Sequence, residues 1–194
     1  YMYSMKGKHH LSIKVLNNIK NKYPSDFDIS NNLGHSYLNE ENIKLALENI
    51  NNAIKIDSNN PAPYKNLASV YLLLRDFNKA ENAINRCHEL IEKTLGHSEQ
   101  LSSVIKIKSQ IMLAKNQKNI ATELLLNYLD KNFDPELLLE LVNIDRSAIT
   151  EGHLSRTKEL INNNIYNSQL DKFNKLSPLL FFLAKYYEKN NQLL

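Results

Sequence analysis

Apolar residues recur along this chain at the spacing of one helix face, and the faces themselves recur. Leu11, Val15, Leu16 and Ile19 form a stripe that predicts a helix over 9–22, which Pro24 ends. The stretch before it, 1–7, reads as the end of a preceding helix. Two further pairs follow. The first predicts helices over 29–38 and 43–56. The polar turn Asp57-Ser58-Asn59-Asn60-Pro61 separates it from the second. That second pair carries Tyr64, Leu67, Val70 and Tyr71 on one helix and Ala80, Ala83 and Ile84 on the other.

The pairs share a period. Leu33-Gly34-x-x-Tyr37 returns as Leu67-Ala68-x-x-Tyr71, and 71 − 37 = 34. Ala46 returns as Ala80, and Ala53 as Cys87. Stepping back by 34 takes Tyr37 to Tyr3, Ile50 to Leu16 and Ser58 to Pro24. A fixed period of this length means stacked helix pairs, because one pair cannot bury its apolar face alone. Small residues at Gly34, Ala68, Ala46 and Ala80 let paired helices approach closely. The tyrosines and Leu33/Leu67 fill the space between them.

After residue 93 the register slips. Leu95-Gly96-His97-Ser98 reads as a helix end and a new N-cap. Helices are predicted over 99–115 and 118–130, with Ser109 and Met112 in the key positions of the first. Ala121 lies 121 − 80 = 41 residues after Ala80, so this unit follows a longer connection. Asp134-Pro135-Glu136 starts a helix that runs to Ile144. Another is predicted over 151–164, then a polar connector over 162–175. Ser177-Pro178 starts a last helix, where Leu183-Ala184-x-x-Tyr187 repeats the signature. The expected organisation is regular repeats over 1–94 (a partial unit 1–26, then 27–60 and 61–94), divergent helix pairs over 95–176, and over 177–194 the first helix of a truncated repeat. Both ends read as cuts through repeats.

Composition narrows the function classes. The chain has 194 residues, 42% hydrophobic and 23% charged, as in an ordinary soluble domain. The longest apolar run, 179–184, is far too short to span a bilayer. The net charge of +3 comes from scattered basic residues, which argues against nucleic acid. One cysteine excludes an internal disulfide. Cys87 stands where the first unit has Ala53, so it reads as a small core residue. No signal or transit segment is visible, and a cytoplasmic location is expected.

Leu33, Gly34, Tyr37, Ala46, Ala53 and their counterparts resemble the tetratricopeptide repeat family, closely over 1–94 and loosely over 95–194. Ile50 and Ile84 stand where that family usually has an aromatic, and Ser58 where it usually has proline. The resemblance implies an all-α fold, a right-handed α-solenoid of stacked helix-turn-helix units. It also implies a scaffold that binds a protein or peptide in a groove lined by the first helices. The stretch 156–192, ending in Leu180-Phe181-Phe182-Leu183-Ala184-Lys185-Tyr186-Tyr187-Glu188, looks like the segment before the catalytic domain in bacterial repeat–sulfotransferase fusions. That likeness implies the non-catalytic N-terminal region of a larger transferase.

The groove supplies the candidate site. In the family the sixth position of each first helix often carries an asparagine that bonds the backbone of an extended ligand. Asn32 and Asn66 occupy that position. An amide both donates and accepts, so it can pair with a peptide unit of any sequence. His35 and Ser69 lie one turn further on, and Lys65 is beside Asn66. The family's carboxylate clamp is incomplete: Lys65 fits one element, but Ser69 replaces an asparagine and Ile107 a basic residue. Asn-rich solvated surface is the competing reading of all five. His9-His10 point in different directions on a helix, and no carboxylate or cysteine stands at ligand spacing. His88-Glu89 lacks the second histidine of the helical zinc motif. None of the four glycines, Gly7, Gly34, Gly96 and Gly152, sits in a phosphate-cradling loop. No catalytic residue, metal or cofactor is therefore expected. The apolar run 179–184 is expected to be a stacking face, and its uncapped end predicts self-association.

Overall fold

A computed structural model describes residues 9–93, 98–132, 134–166 and 181. Among these residues every regular element is helical. The chain divides into two compact units, 1–115 and 116–194. The first unit ends at residue 115, one helix beyond residue 94.

That unit contains α1 (His9–Lys20), α2 (Phe27–Asn39), α3 (Ile43–Ile56), α4 (Ala62–Leu73), α5 (Phe77–Lys93) and α6 (Ser98–Ala114). Each packs against the next, and α4 also touches α2 and α6. The first helices of successive pairs, α2, α4 and α6, therefore lie side by side. Side chains begin the helices. Asp26 accepts from the Ile29 amide at 2.9 Å, Asn42 from Leu45 at 3.2 Å and Asp76 from Lys79 at 3.2 Å. Proline opens α4, and the Asn60 side chain takes the Ala62 amide at 3.0 Å.

Among the described residues of this unit, two clusters of buried side chains join its helices. Leu38, Ala46, Ile50 and Val70 close around α2, α3 and α4. Ala68, Ala80, Ala83, Ile84, Cys87, Ile91, Val104 and Ile111 join α4, α5 and α6. The small residues of the repeat pattern are all enclosed. Ala46, Ala68 and Ala80 have no exposed surface.

The turn inside each pair is also repeated. Glu41 and Arg75 adopt φ of 56° and 59°, and 75 − 41 = 34. The amides that follow, Asn42 and Asp76, each donate to a tyrosine carbonyl, Tyr37 and Tyr71, at 2.9 Å. Asn116 has φ of 62° and lies 116 − 75 = 41 residues on, the same offset that separates Ala80 from Ala121. Asparagine tolerates this left-handed backbone; glutamate and arginine are strained by about 1–2 kcal/mol. Glycine relieves that strain and loses part of the gain to unfolded-chain entropy. Glu41→Gly and Arg75→Gly are each expected to stabilise the chain by about 0.5–1 kcal/mol in urea unfolding. A destabilised Arg75→Gly would show that the turn carries no such strain.

The second unit contains α7 (Lys118–Leu129), α8 (Pro135–Ile144), a 3-10 turn (Arg146–Ala148) and α9 (Glu151–Tyr166). The sequence pattern missed the 3-10 turn, and α9 runs past the expected start of the connector at residue 162. Asp134 caps α8, accepting from Glu136 at 2.9 Å and Leu137 at 3.1 Å. Ala121, Leu125, Leu129, Leu137, Leu138, Leu141 and Leu154 are buried. His153 is only 3% exposed, and burial lowers its pKa. Its ring takes up Thr150, and its backbone carbonyl accepts from the Thr157 hydroxyl at 2.7 Å. We read it as a structural histidine of the α9 start. The linker 95–97, the turn expected at Ser177-Pro178 and the repeat signature at 183–187 lie outside the described residues.

Candidate functional site

All five expected site residues lie on α2 or α4, which pack side by side. The Asn66 amide nitrogen donates to the Asn31 side-chain oxygen at 3.0 Å, linking the two helices. His35 is the next member. Its ring stands edge-on to His9 with centroids 6.1 Å apart, and Asn39 Nδ2 lies 3.2 Å from its Nε2. Burial of the ring lowers the His35 pKa, the His9 and Lys65 charges lower it further, and a hydrogen bond with Asn66 opposes them. His35 is therefore neutral at neutral pH even though part of the residue is exposed. Ser69 turns its hydroxyl to its own helix, donating to the Lys65 carbonyl at 3.2 Å.

Asn66 is more enclosed than its repeat mate. It is 7% exposed, and its amide is committed to Asn31. Asn32, half-buried on α2, has no side-chain hydrogen bond among the described residues, so its amide is open. The pattern missed Asn31 because the bonded pair is not one period apart: 66 − 31 = 35. It missed His9 because that residue precedes the first complete repeat. A run of two asparagines, Asn31-Asn32, was the available signal for the first.

Lys65 belongs to a second feature as well. It lines a cleft of about 340 Å³ with Asn60, Pro61, Ala62, Cys87 and Ile91, and Gln100 and Ser103 of α6 close it. No carboxylate pairs with Lys65 among the described residues. The Cys87 thiol faces this region from the core. Burial pushes its pKa up to about 11, so it stays protonated and unreactive at neutral pH. This agrees with its reading as a core residue. Among the described residues no three His, Cys, Asp or Glu side chains gather as a metal cluster, and no helix is long and apolar enough to cross a membrane.

Other polar side chains also tie the pairs together. Ser12 meets Ser36 at 3.1 Å, Asn17 donates to the Tyr37 hydroxyl at 2.9 Å, and Lys20 donates to the buried Asn49 at 2.7 Å. Asn52 donates to Ser30 at 2.9 Å. These bonds satisfy groups that close packing would otherwise leave unpaired.

Stacked helix pairs with small residues at the crossings and a polar face on the first helices define a helical-repeat protein. Residues 27–60 match the tetratricopeptide repeat family model. The match starts with α2 and ends in the turn after α3, so it covers one helix pair. Two solved structures share the fold. The N-terminal domain of stress-induced protein-1 (STI-1) from C. elegans is 18% identical, with a TM-score of 0.53 over 61% of this chain and 94% of that one. The APC/C hetero-tetramer Cut9–Hcn1 is also 18% identical, with a TM-score of 0.66 over 88% of this chain. This chain spans about a third of that one, 34% of its length. No curated protein sequence matches the chain closely enough to count as a relative. The all-α, stacked-pair reading of the sequence is thus the observed fold. The likeness to sulfotransferase fusions has no counterpart among these matches, and most of the residues that suggested it lie outside the described ones.

Proposed function

We propose that this chain is a non-enzymatic scaffold for protein–protein interaction, and that the face of α2 and α4 takes an extended segment or a helix of its partner. The open amide of Asn32 carries this reading. It is half-buried, without a side-chain hydrogen bond among the described residues, and one residue from the Asn31–Asn66 link that ties the two helices. A partner backbone laid along the face would satisfy both its donor and its acceptor. Lys65 adds a half-buried cation that has no carboxylate partner among the described residues, which suits an acidic or carbonyl-rich stretch of the ligand. His35 stays neutral there and offers a hydrogen bond rather than a charge. Asn66 and Ser69 support the face: the first holds the helices together, and the second is bonded to its own backbone.

The test separates binding from folding. Lysate from the source cells is passed over the immobilised parent chain and over Asn32→Ala/Lys65→Glu. Neither residue lies in the core clusters, so the variant is expected to melt within a few degrees of the parent. A protein retained by the parent should bind the variant at least about tenfold more weakly, a loss of about 1.4 kcal/mol. Equal affinity for both chains would remove the site from the α2/α4 face.

A further inference from the structure

One contact across α5 and α6 breaks the repeat pattern. Stepping from Leu33 by 34 gives Leu67, and stepping on by 41, the offset of the third unit, gives Lys108. A lysine therefore occupies a position where the two earlier repeats place a leucine, buried at Leu33 and packed against the core at Leu67. Lys108 is half-buried, and its Nζ lies 2.9 Å from His88 Nδ1 on α5. An ammonium has only donors. His88 Nδ1 must therefore present its lone pair, and the ring proton sits on Nε2, 3.6 Å from the Glu92 carboxylate. The contact exists only while His88 is neutral. A proton on Nδ1 would place two cations 2.9 Å apart and remove the acceptor from that contact.

A second link lies two turns away. Lys115 Nζ reaches Glu81 at 2.6 Å. The helices run antiparallel, so 115 − 108 = 7, from α6 to the residue just after it, matches 88 − 81 = 7 on α5. Protonation of His88 turns the His88–Lys108 contact repulsive, whereas the Lys115–Glu81 ion pair contains no histidine. The two links therefore respond differently to acid. The first half of α6, which carries Gln100 and Ser103 of the 340 Å³ cleft, is at the sensitive end.

We propose that His88 and Lys108 form a pH-sensitive latch that holds the first half of α6 on α5 at neutral pH and releases it on acidification, opening the cleft beside Lys65. The charged groups around His88 are few. On its own helix these are Glu92, with Arg86 paired to Glu89 at 3.2 Å. α6 brings Lys108, and α4 brings Lys65, which acts on the neighbouring Cys87. Burial of the ring and then the Lys108 charge lower the His88 pKa, against the pull of Glu92. Burial likewise lowers that of Lys108, which Glu92, Cys87, Glu81 and Glu89 counter. For a histidine with a lowered folded-state pKa, the stabilising contribution is full above the ordinary imidazole value. It is lost as the pH falls through the lowered one.

Amide hydrogen exchange at about pH 7.5 and about pH 5, corrected for intrinsic rates, tests the latch. In the parent, amides of residues 101–108 should open several-fold more often at the lower pH, while those of α2 and α3 change little. His88→Gln, neutral throughout, should abolish the difference. Lys108→Met restores an apolar side chain to the leucine position and should abolish it too, which keeps the test valid if His88→Gln folds poorly. Equal protection of the parent at both pH values, or an undiminished acid response in both variants, would overturn the proposal.

Discussion

Ile84→Ala should destabilise the first unit by about 2–5 kcal/mol, the largest effect expected from any single replacement considered. Ile84 has no exposed surface and lies in the cluster that joins α4, α5 and α6. Truncation removes three carbons from a cluster that includes Ala68, Ala80 and Ala83. Alanines have no rotamers with which to refill a cavity, so collapse would need helices to shift. Buried isoleucine therefore costs both its transfer energy and the void. Urea unfolding followed by helix circular dichroism measures the loss, with an unchanged slope as evidence that the same surface is exposed. A loss under about 1 kcal/mol would mean that α5 moves to fill the gap. Because stacked units unfold partly independently, the transition is to be read with a second probe in α2 or α3.

Gly34→Ala is the second. Alanine normally gains about 0.5–1 kcal/mol over glycine in a helix interior. Here a β-carbon would lie 2.6 Å from Ile50 Cγ1 and 3.1 Å from the Ile50 backbone nitrogen. Neither atom is the free end of a flexible chain, so α2 and α3 must separate. Overpacking of this kind costs about 1–3 kcal/mol and outweighs the propensity gain. A net loss of about 1–2 kcal/mol is expected. A double-mutant cycle strengthens the test. Ile50→Ala removes the opposing atom, so Gly34→Ala should cost little or even stabilise in that background, a coupling that distant sites do not show. If Gly34→Ala stabilises the parent, the close approach of α2 and α3 is wrong. The next repeat already holds a methyl group at the equivalent position, Ala68, without exposure.

Most of the first unit's architecture was legible because its cause is local and repeated. The stripe of Leu33, Tyr37, Ala46 and Ile50 fixes which helix faces are buried. Its return after 34 residues fixes that another pair must cover them. The bounds of α3 follow from this pattern together with the cap at Asn42 and the turn at Asp57. The limits of the second unit were less clear. α8 was readable from Asp134 and Pro135, which act within one turn. The 3-10 turn at Arg146–Ala148 depends on Asp145 bonding Ser147 at 3.1 Å, a choice among competing local bonds that periodicity does not rank.

The candidate site was legible in its residue types and not in their roles. Asn32 and Asn66 hold the same repeat position, yet one amide is open and the other is spent on Asn31. The difference is made by what the neighbouring helix brings to each: α2 presents Asn31 to Asn66, whereas Asn32 meets no such partner. His35 and Lys108 make the same point about charge. Their residue types and periods are written in the chain, and both could have been solvated surface groups. Proximity to His9, Lys65 and His88, together with loss of water around each ring and ammonium, sets their protonation and their partners. Helix periodicity decides which side of a helix is covered. The identity of the atoms that meet across two helices depends on how far the backbones approach, and that distance is decided by the packed side chains of several units at once.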